Sequence, residues 1–113
     1  MEKLISWEEF EQVDLRVGTI LEVSDFPKAR RPAYQLLVDF GEEIGTRKSS
    51  AQITAHYSKE ELIGKQVVAV LNFPKKQIAN FMSECLVTGF EDENGDIILT
   101  SVVRKVPNGA KLK

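Results

Sequence analysis

Cysteine occurs once, as Cys85, and histidine once, as His56. A lone thiol cannot close an intramolecular disulfide, which excludes a disulfide-stapled secreted fold and fits a reducing compartment. The thiol and the imidazole stand at no recognisable pairing distance, and no set of metal ligands surrounds either, so no metal is expected. The seven glycines fall singly at turns or bends, and none builds a phosphate-cradling loop. No apolar run approaches the ~18–20 residues of a membrane span, so no membrane insertion is expected. The opening MEKLISWEEFEQ is acidic and lacks the apolar centre of a signal peptide, which gives a cytoplasmic expectation. Nor is there an excess of positive charge: the net charge is −2, so no global field draws the chain to nucleic acid. These absences together predict a protein that is not an enzyme and uses no cofactor.

What is present is ordinary in amount and uneven in placement. An apolar content of 42% over 113 residues suits one domain, residues 1–113, with a modest core. Residues 1–14 carry five acids against Lys3, and residues 91–96 carry four. Lys28, Arg30, Arg31, Arg47, Lys48, Lys75 and Lys76 lie between these acidic ends. A local basic face on a mildly acidic protein follows. Asp92, Glu93 and Asp96 surround a tight turn and read as solvated charge, with a faint suggestion of a cation loop.

Along the chain the apolar pattern is mostly of period two. Ser6 with Glu9, and Ser58 with Glu61, have the spacing of capping boxes, which predicts two short helices. Val13, Leu15, Val17, Thr19, Leu21 and Val23 alternate with polar residues, predicting a strand with one buried face. Gly18 inside it predicts a bulge or bend. Further strands are predicted over 34–40, 47–54, 66–72 and 83–90, and Asn94-Gly95 predicts a tight turn into a last strand over 97–103. Three strands, a short helix and two strands are the element order of an OB-fold. The expected fold is therefore all-β: a five-stranded Greek-key barrel with short N-terminal and inter-strand helices and an extra C-terminal strand.

The chain is organised around Asn72 to Gly89, NFPKKQIANFMSECLVTG. No acid lies between Phe73 and Met82, where cations and amides (Lys75, Lys76, Gln77, Asn80) alternate with Phe73, Ile78, Phe81 and Met82. Such a mixture between two rigid strands suits gripping a polymer rather than breaking a bond. Arg30, Arg31, Lys48, Lys75 and Lys76 are read as contacts to phosphates or to the polar groups of a peptide. Phe81 and Met82 are read as an exposed apolar pocket, whereas Phe73 and Ile78 are expected in the core or an interface. Ser49, Ser50 and Gln52 either satisfy a barrel edge or face an extended ligand backbone. Trp7, Phe10, Ile98, Val102 and Val106 exceed what a small barrel encloses.

Several segments together carry a family resemblance. Val13-Asp14-Leu15-Arg16-Val17-Gly18 and the spacing from Asn72 to Ser83 resemble the tRNA-binding domain superfamily. Within it, the blocks Lys48-Ser49-Ser50-Ala51-Gln52-Ile53-Thr54 and Phe81-Met82-Ser83-Glu84 are most similar to the CsaA-like, export-related chaperone branch. The resemblance implies an OB-fold homodimer that binds unfolded or precursor polypeptides, or alternatively tRNA in trans. It implies that Trp7, Phe10, Ile98, Val102 and Val106 bury against a second copy. The tRNA-binding branch places its first loop as Pro-Asn-Ala-Asp-Lys-Leu-Tyr. Here that loop reads Pro27-Lys28-Ala29-Arg30-Arg31-Pro32-Ala33-Tyr34, one residue longer, with its cation as Arg30 or Arg31. The second cation of that branch falls on Lys76 and its serine on Ser83; Gln77 and Asn80, between them, are included in the expected binding set.

Overall fold

The computed structural model describes residues 3–113. Both capping boxes form: Ser6 opens α1 (Trp7–Glu11) and Ser58 opens α2 (Lys59–Leu62), each side chain accepting from the backbone N–H three residues on. The strands are β1 (Leu15–Asp25), β2 (Tyr34–Asp39), β3 (Thr46–Ala51), β4 (Gln66–Val70), β5 (Lys76–Ile78), β6 (Phe81–Ser83), β7 (Leu86–Val87), β8 (Gly89–Glu91) and β9 (Ile97–Leu99). A five-stranded sheet runs β3-β2-β1-β4-β7, antiparallel at every pairing, and curls into a nearly closed barrel of OB type. Closure comes from the end of β6 and the residue after it: Ser50 N donates to Ser83 Oγ at 3.2 Å, and Glu84 N donates to Lys48 O at 2.7 Å.

The long first strand differs from its expected pattern. Ile20 is fully buried and Leu21 is 42% exposed, the reverse of the predicted face. The register explains this. Ile20 pairs with Val38 but Glu22 pairs with Leu37, so Leu21 is an extra residue and the faces exchange there. Gly18 is therefore not the bulge. It is a point of close approach, where a Cβ would stand 2.7 Å from the Phe40 ring and from Val38. Ile20, Leu36, Val38, Phe40, Leu62 and Val67 form the centre of the core.

Three further expectations are corrected. The predicted strand over 83–90 is broken, because the chain leaves β6, touches β4 through Val87 and Leu86, and then joins β9. The connection between the strands predicted over 66–72 and 83–90 is itself paired, as a hairpin, β5–β6, with Ile78 opposite Phe81. The last strand stops at Leu99, and the chain returns to pair with β1: Val17 N donates to Ala110 O at 3.0 Å and Leu112 N to Leu15 O at 2.9 Å. Asn108 fixes that return, accepting from Thr19 Oγ1 at 2.7 Å and from Gln66 Nε2 at 3.2 Å. Gly109 follows with φ +90, and a Cβ there would meet the Phe40 carbonyl at 2.5 Å. No helix among the described residues is long and apolar enough to cross a membrane.

Gly18→Ala should lower stability by roughly 1–3 kcal/mol, because the added methyl enters a packed core. A shifted denaturant midpoint with unchanged slope is the expected result; an unshifted midpoint would show that Phe40 yields freely.

Candidate polymer-binding groove

Two segments distant in sequence meet through aromatic packing. Phe26 and Ala33, at the ends of the first loop, are buried against Phe81 of β6. The Phe26 and Phe81 ring centroids stand 5.5 Å apart at 58°. Lys48 lies over the Phe81 ring, its Nζ 5.2 Å from the centroid, a cation–π contact. With its ends anchored, the first loop holds Lys28, Arg30 and Arg31 at the surface.

Between this loop and the β5–β6 hairpin lies a hollow of about 470 Å³, lined by Lys28, Arg30, Arg31, Ser50, Gln52 and Ile78, with three alanines. A second, of about 230 Å³, is lined by Phe73, Pro74, Lys76, Ser83, Cys85 and Leu86, again with Ser50 and Ile78. Ser50 and Ile78 line both, so the two hollows adjoin as parts of one candidate groove. Among the described residues, no aspartate or glutamate lines either part. Lys28, Arg30, Arg31 and Lys76 have no ion-pair partner among the described residues.

The groove gathers Arg30, Arg31, Ser50, Gln52, Lys76 and Ser83 of the expected set. Two expected contacts are corrected. Phe81 is buried in the anchor rather than exposed, because it packs on Phe26. Ser49 is fully buried, its hydroxyl donating to Ser50 O at 3.4 Å, so it serves the barrel. Lys75 turns toward Glu84 at 3.7 Å, and Gln77 donates to Ala79 O at 2.8 Å. Lys48, Asn80 and Met82 are exposed but line neither hollow. Phe73, expected in the core or an interface, is 55% exposed at the rim and so lies outside the core. Cys85 reaches the groove wall, and burial pushes its thiol up to about 12, so it stays protonated.

The chain matches the family model described as a putative tRNA binding domain over residues 15–111. It belongs to that family. It is similar to the structure of the chaperone CsaA from Bacillus anthracis, at TM-score 0.91 and 47% identity, covering 98% of this chain and 100% of that one. The CsaA chaperone protein of Picrophilus torridus gives TM-score 0.90 and 49% identity over 97% and 100%. The methionine–tRNA ligase of Chlorobium phaeobacteroides is 38% identical over 97% of this chain, which spans only 15% of that enzyme.

Sequence reasoning missed two fixings. Asn72 clamps the start of the groove loop to the N-terminal segment, its Oδ1 accepting from Asp14 N at 2.9 Å and its Nδ2 donating to Gln12 O at 2.6 Å. An amide placed directly after an apolar run was the available signal. The other is His56, whose Nε2 meets Asp92 Oδ2 at 2.6 Å across 36 residues. His56, Asp92 and Asp96 bring ligand atoms within 4.8 Å of one another. However, Asp92 Oδ1 already accepts two backbone N–H groups, from Asn94 and Asp96. The cluster ties the β8–β9 turn to the segment before α2.

The His56 hydrogen bond, with the backbone donors of Asp96 and Asn94, holds the Asp92 carboxyl below its ordinary 3.8. A depressed carboxyl stabilises the fold above its unfolded value, and that contribution is lost as pH falls through the folded value. Asp92→Asn should therefore be less stable than the parent near neutral pH, with the gap closing below about pH 3.8. Thermal melts across pH measure this; a gap independent of pH would contradict it.

Proposed function

We propose that this protein is a non-enzymatic, cytoplasmic binder of RNA, taking tRNA in trans along the groove. The observation that carries the reading is the acid-free lining with its unpaired cations. Uncompensated cations along a continuous groove favour a polyanion, and OB-folds commonly present such a face to oligonucleotides. The match to the tRNA binding family supports it.

A second reading has its own support. Two CsaA chaperones resemble this chain end to end at 47% and 49% identity. Part of the groove is apolar, through Phe73, Pro74, Ile78 and Leu86. On this reading the groove holds unfolded or precursor polypeptides awaiting export, and the two ligands share one face.

We also propose that the working unit is a homodimer. Val102 and Val106 line an apolar hollow of about 600 Å³ with Leu15, Val17 and Phe90, and Leu112 extends it. Trp7 and Phe10 line the next hollow, which shares Leu112. Phe90 is 73% exposed, and Ile98 lies opposite it in the β8–β9 pairing. These adjoining hollows, the second bordered also by Glu11, Lys111 and Lys113, share no described residue with the groove, so a second copy would leave both grooves open and add avidity on a long ligand.

Arg31→Glu with Lys76→Glu should weaken tRNA binding at least tenfold and flatten its salt dependence, since each phosphate contact contributes a slope of roughly 0.7–0.9. Filter binding from low to moderate salt reads this. Unchanged binding in the doubly reversed protein would defeat the RNA reading. Salt-insensitive suppression of client aggregation would then favour polypeptides. Sedimentation should give twice the 12.7 kDa chain mass, shifting to the single mass in Val102→Asp with Val106→Asp. A monomer before substitution would exclude the dimer.

A further inference from the structure

Among the described residues, Phe73 is the only aromatic one lining the groove. Phe26 and Phe81 are consumed by each other, Phe40 is in the core, and Phe90 lies on the separate apolar surface. At 55% exposure, the Phe73 ring leaves much of its area to water, at a cost that contact with a partner would remove. Its position is fixed from both sides. Asn72 is clamped to Gln12 and Asp14, and Pro74 follows, restricting the backbone at Phe73 itself. The ring is thus presented rather than dangling.

Its surroundings narrow the ligand. Beside the ring stand Lys76, with no ion-pair partner, and Ser83, whose hydroxyl accepts from Ser50 N and donates to Cys85 O. The Ser50 hydroxyl makes no hydrogen bond among the described residues and lines both parts of the groove. Further along are Arg30 and Arg31. A presented aromatic face, a free hydroxyl and a row of cations with no acid suit a ligand that is flat, polar at its edges and repeatedly negative along its length. A single-stranded nucleic acid has those three properties. A duplex hides its base faces, and an average polypeptide carries both signs of charge.

We propose that Phe73 is a stacking platform for an unpaired base of single-stranded RNA, with Lys76 on the adjoining phosphate and Arg30 and Arg31 on phosphates further along. Ser50 meets the base or sugar edge between them. This deepens the RNA reading above and rests on it. The groove then selects unpaired over paired RNA, because stacking on the ring is open only to a base that has left its helix.

The test compares a short oligoadenylate with an RNA duplex of the same length, for the parent protein, Phe73→Ala, Phe73→Trp and Lys76→Ala, each as a full chain with its melting curve recorded. Phe73 is exposed, so Phe73→Ala should melt with the parent. The expected result is a loss of single-strand affinity of roughly five- to a hundredfold in Phe73→Ala. Phe73→Trp should retain that affinity, and the salt slope of Phe73→Ala should be unchanged. Lys76→Ala should instead flatten the slope. Duplex binding should be the weaker in the parent and indifferent to Phe73. If Lys76→Ala weakens the single strand but Phe73→Ala does not, RNA binding stands and the stacking role is overturned. If the parent binds neither RNA, the RNA reading fails and takes this proposal with it. If Phe73→Ala loses capture of an unfolded polypeptide while RNA binding is intact, the ring belongs to the polypeptide ligand and the proposal is likewise overturned.

Discussion

The contact between Phe26 and Phe81 is the interaction on which the candidate binding surface depends. Without it, the first loop and the β5–β6 hairpin would be two separate projections from a small barrel, each with its own cations. Their rings at 5.5 Å, with Ala33 and part of Ile78 packed around them, make a satellite core outside the barrel. That satellite brings Arg30 and Arg31 to the same groove as Lys76. Lys48, lying on the Phe81 ring, adds a charged lid to an otherwise apolar joint. The positions of these charges are therefore set by hydrophobic packing one layer below them.

The barrel supplies the rigidity behind that joint. Its closing bonds, Glu84 N to Lys48 O and Ser50 N to Ser83 Oγ, run directly beneath the groove. Ser83 accordingly serves two purposes, joining β6 to β3 and forming part of the groove wall. The C-terminal return to β1, fixed through Asn108, belongs to the other surface, where Ala110 and Leu112 help line the large apolar hollow. The proposed polymer binding and the proposed self-association thus draw on different parts of the fold, the first on β3 and the β5–β6 hairpin, the second on β1, β4 and the C-terminal segment.

Much of this was legible in the sequence. Ser6 with Glu9 and Ser58 with Glu61 announced both helices because capping is local chemistry. The strands of the barrel followed from period-two alternation, and the acid-free stretch around Lys76 pointed to the groove. What was not legible depended on distant partners. Leu21 and Ile20 exchange faces through a bulge that only pairing with β2 reveals. Phe73 and Phe81 sit in one apolar-cationic run and look alike; Phe81 is buried because Phe26, far away in sequence, receives it. Phe73 has no such receiver and stays at the rim. Likewise, His56 looked like an isolated imidazole until the β8–β9 turn brought Asp92 to it.

The most direct measurement is a nuclear magnetic resonance titration of the isotopically labelled protein with single-stranded RNA. If the aromatic joint makes one groove of two segments, backbone amides of 28–33 and of 73–79 should shift together and fit one dissociation constant. Shifts confined to one of these segments, or concentrated on the β8–β9 hairpin, would contradict a single groove built on Phe26 and Phe81.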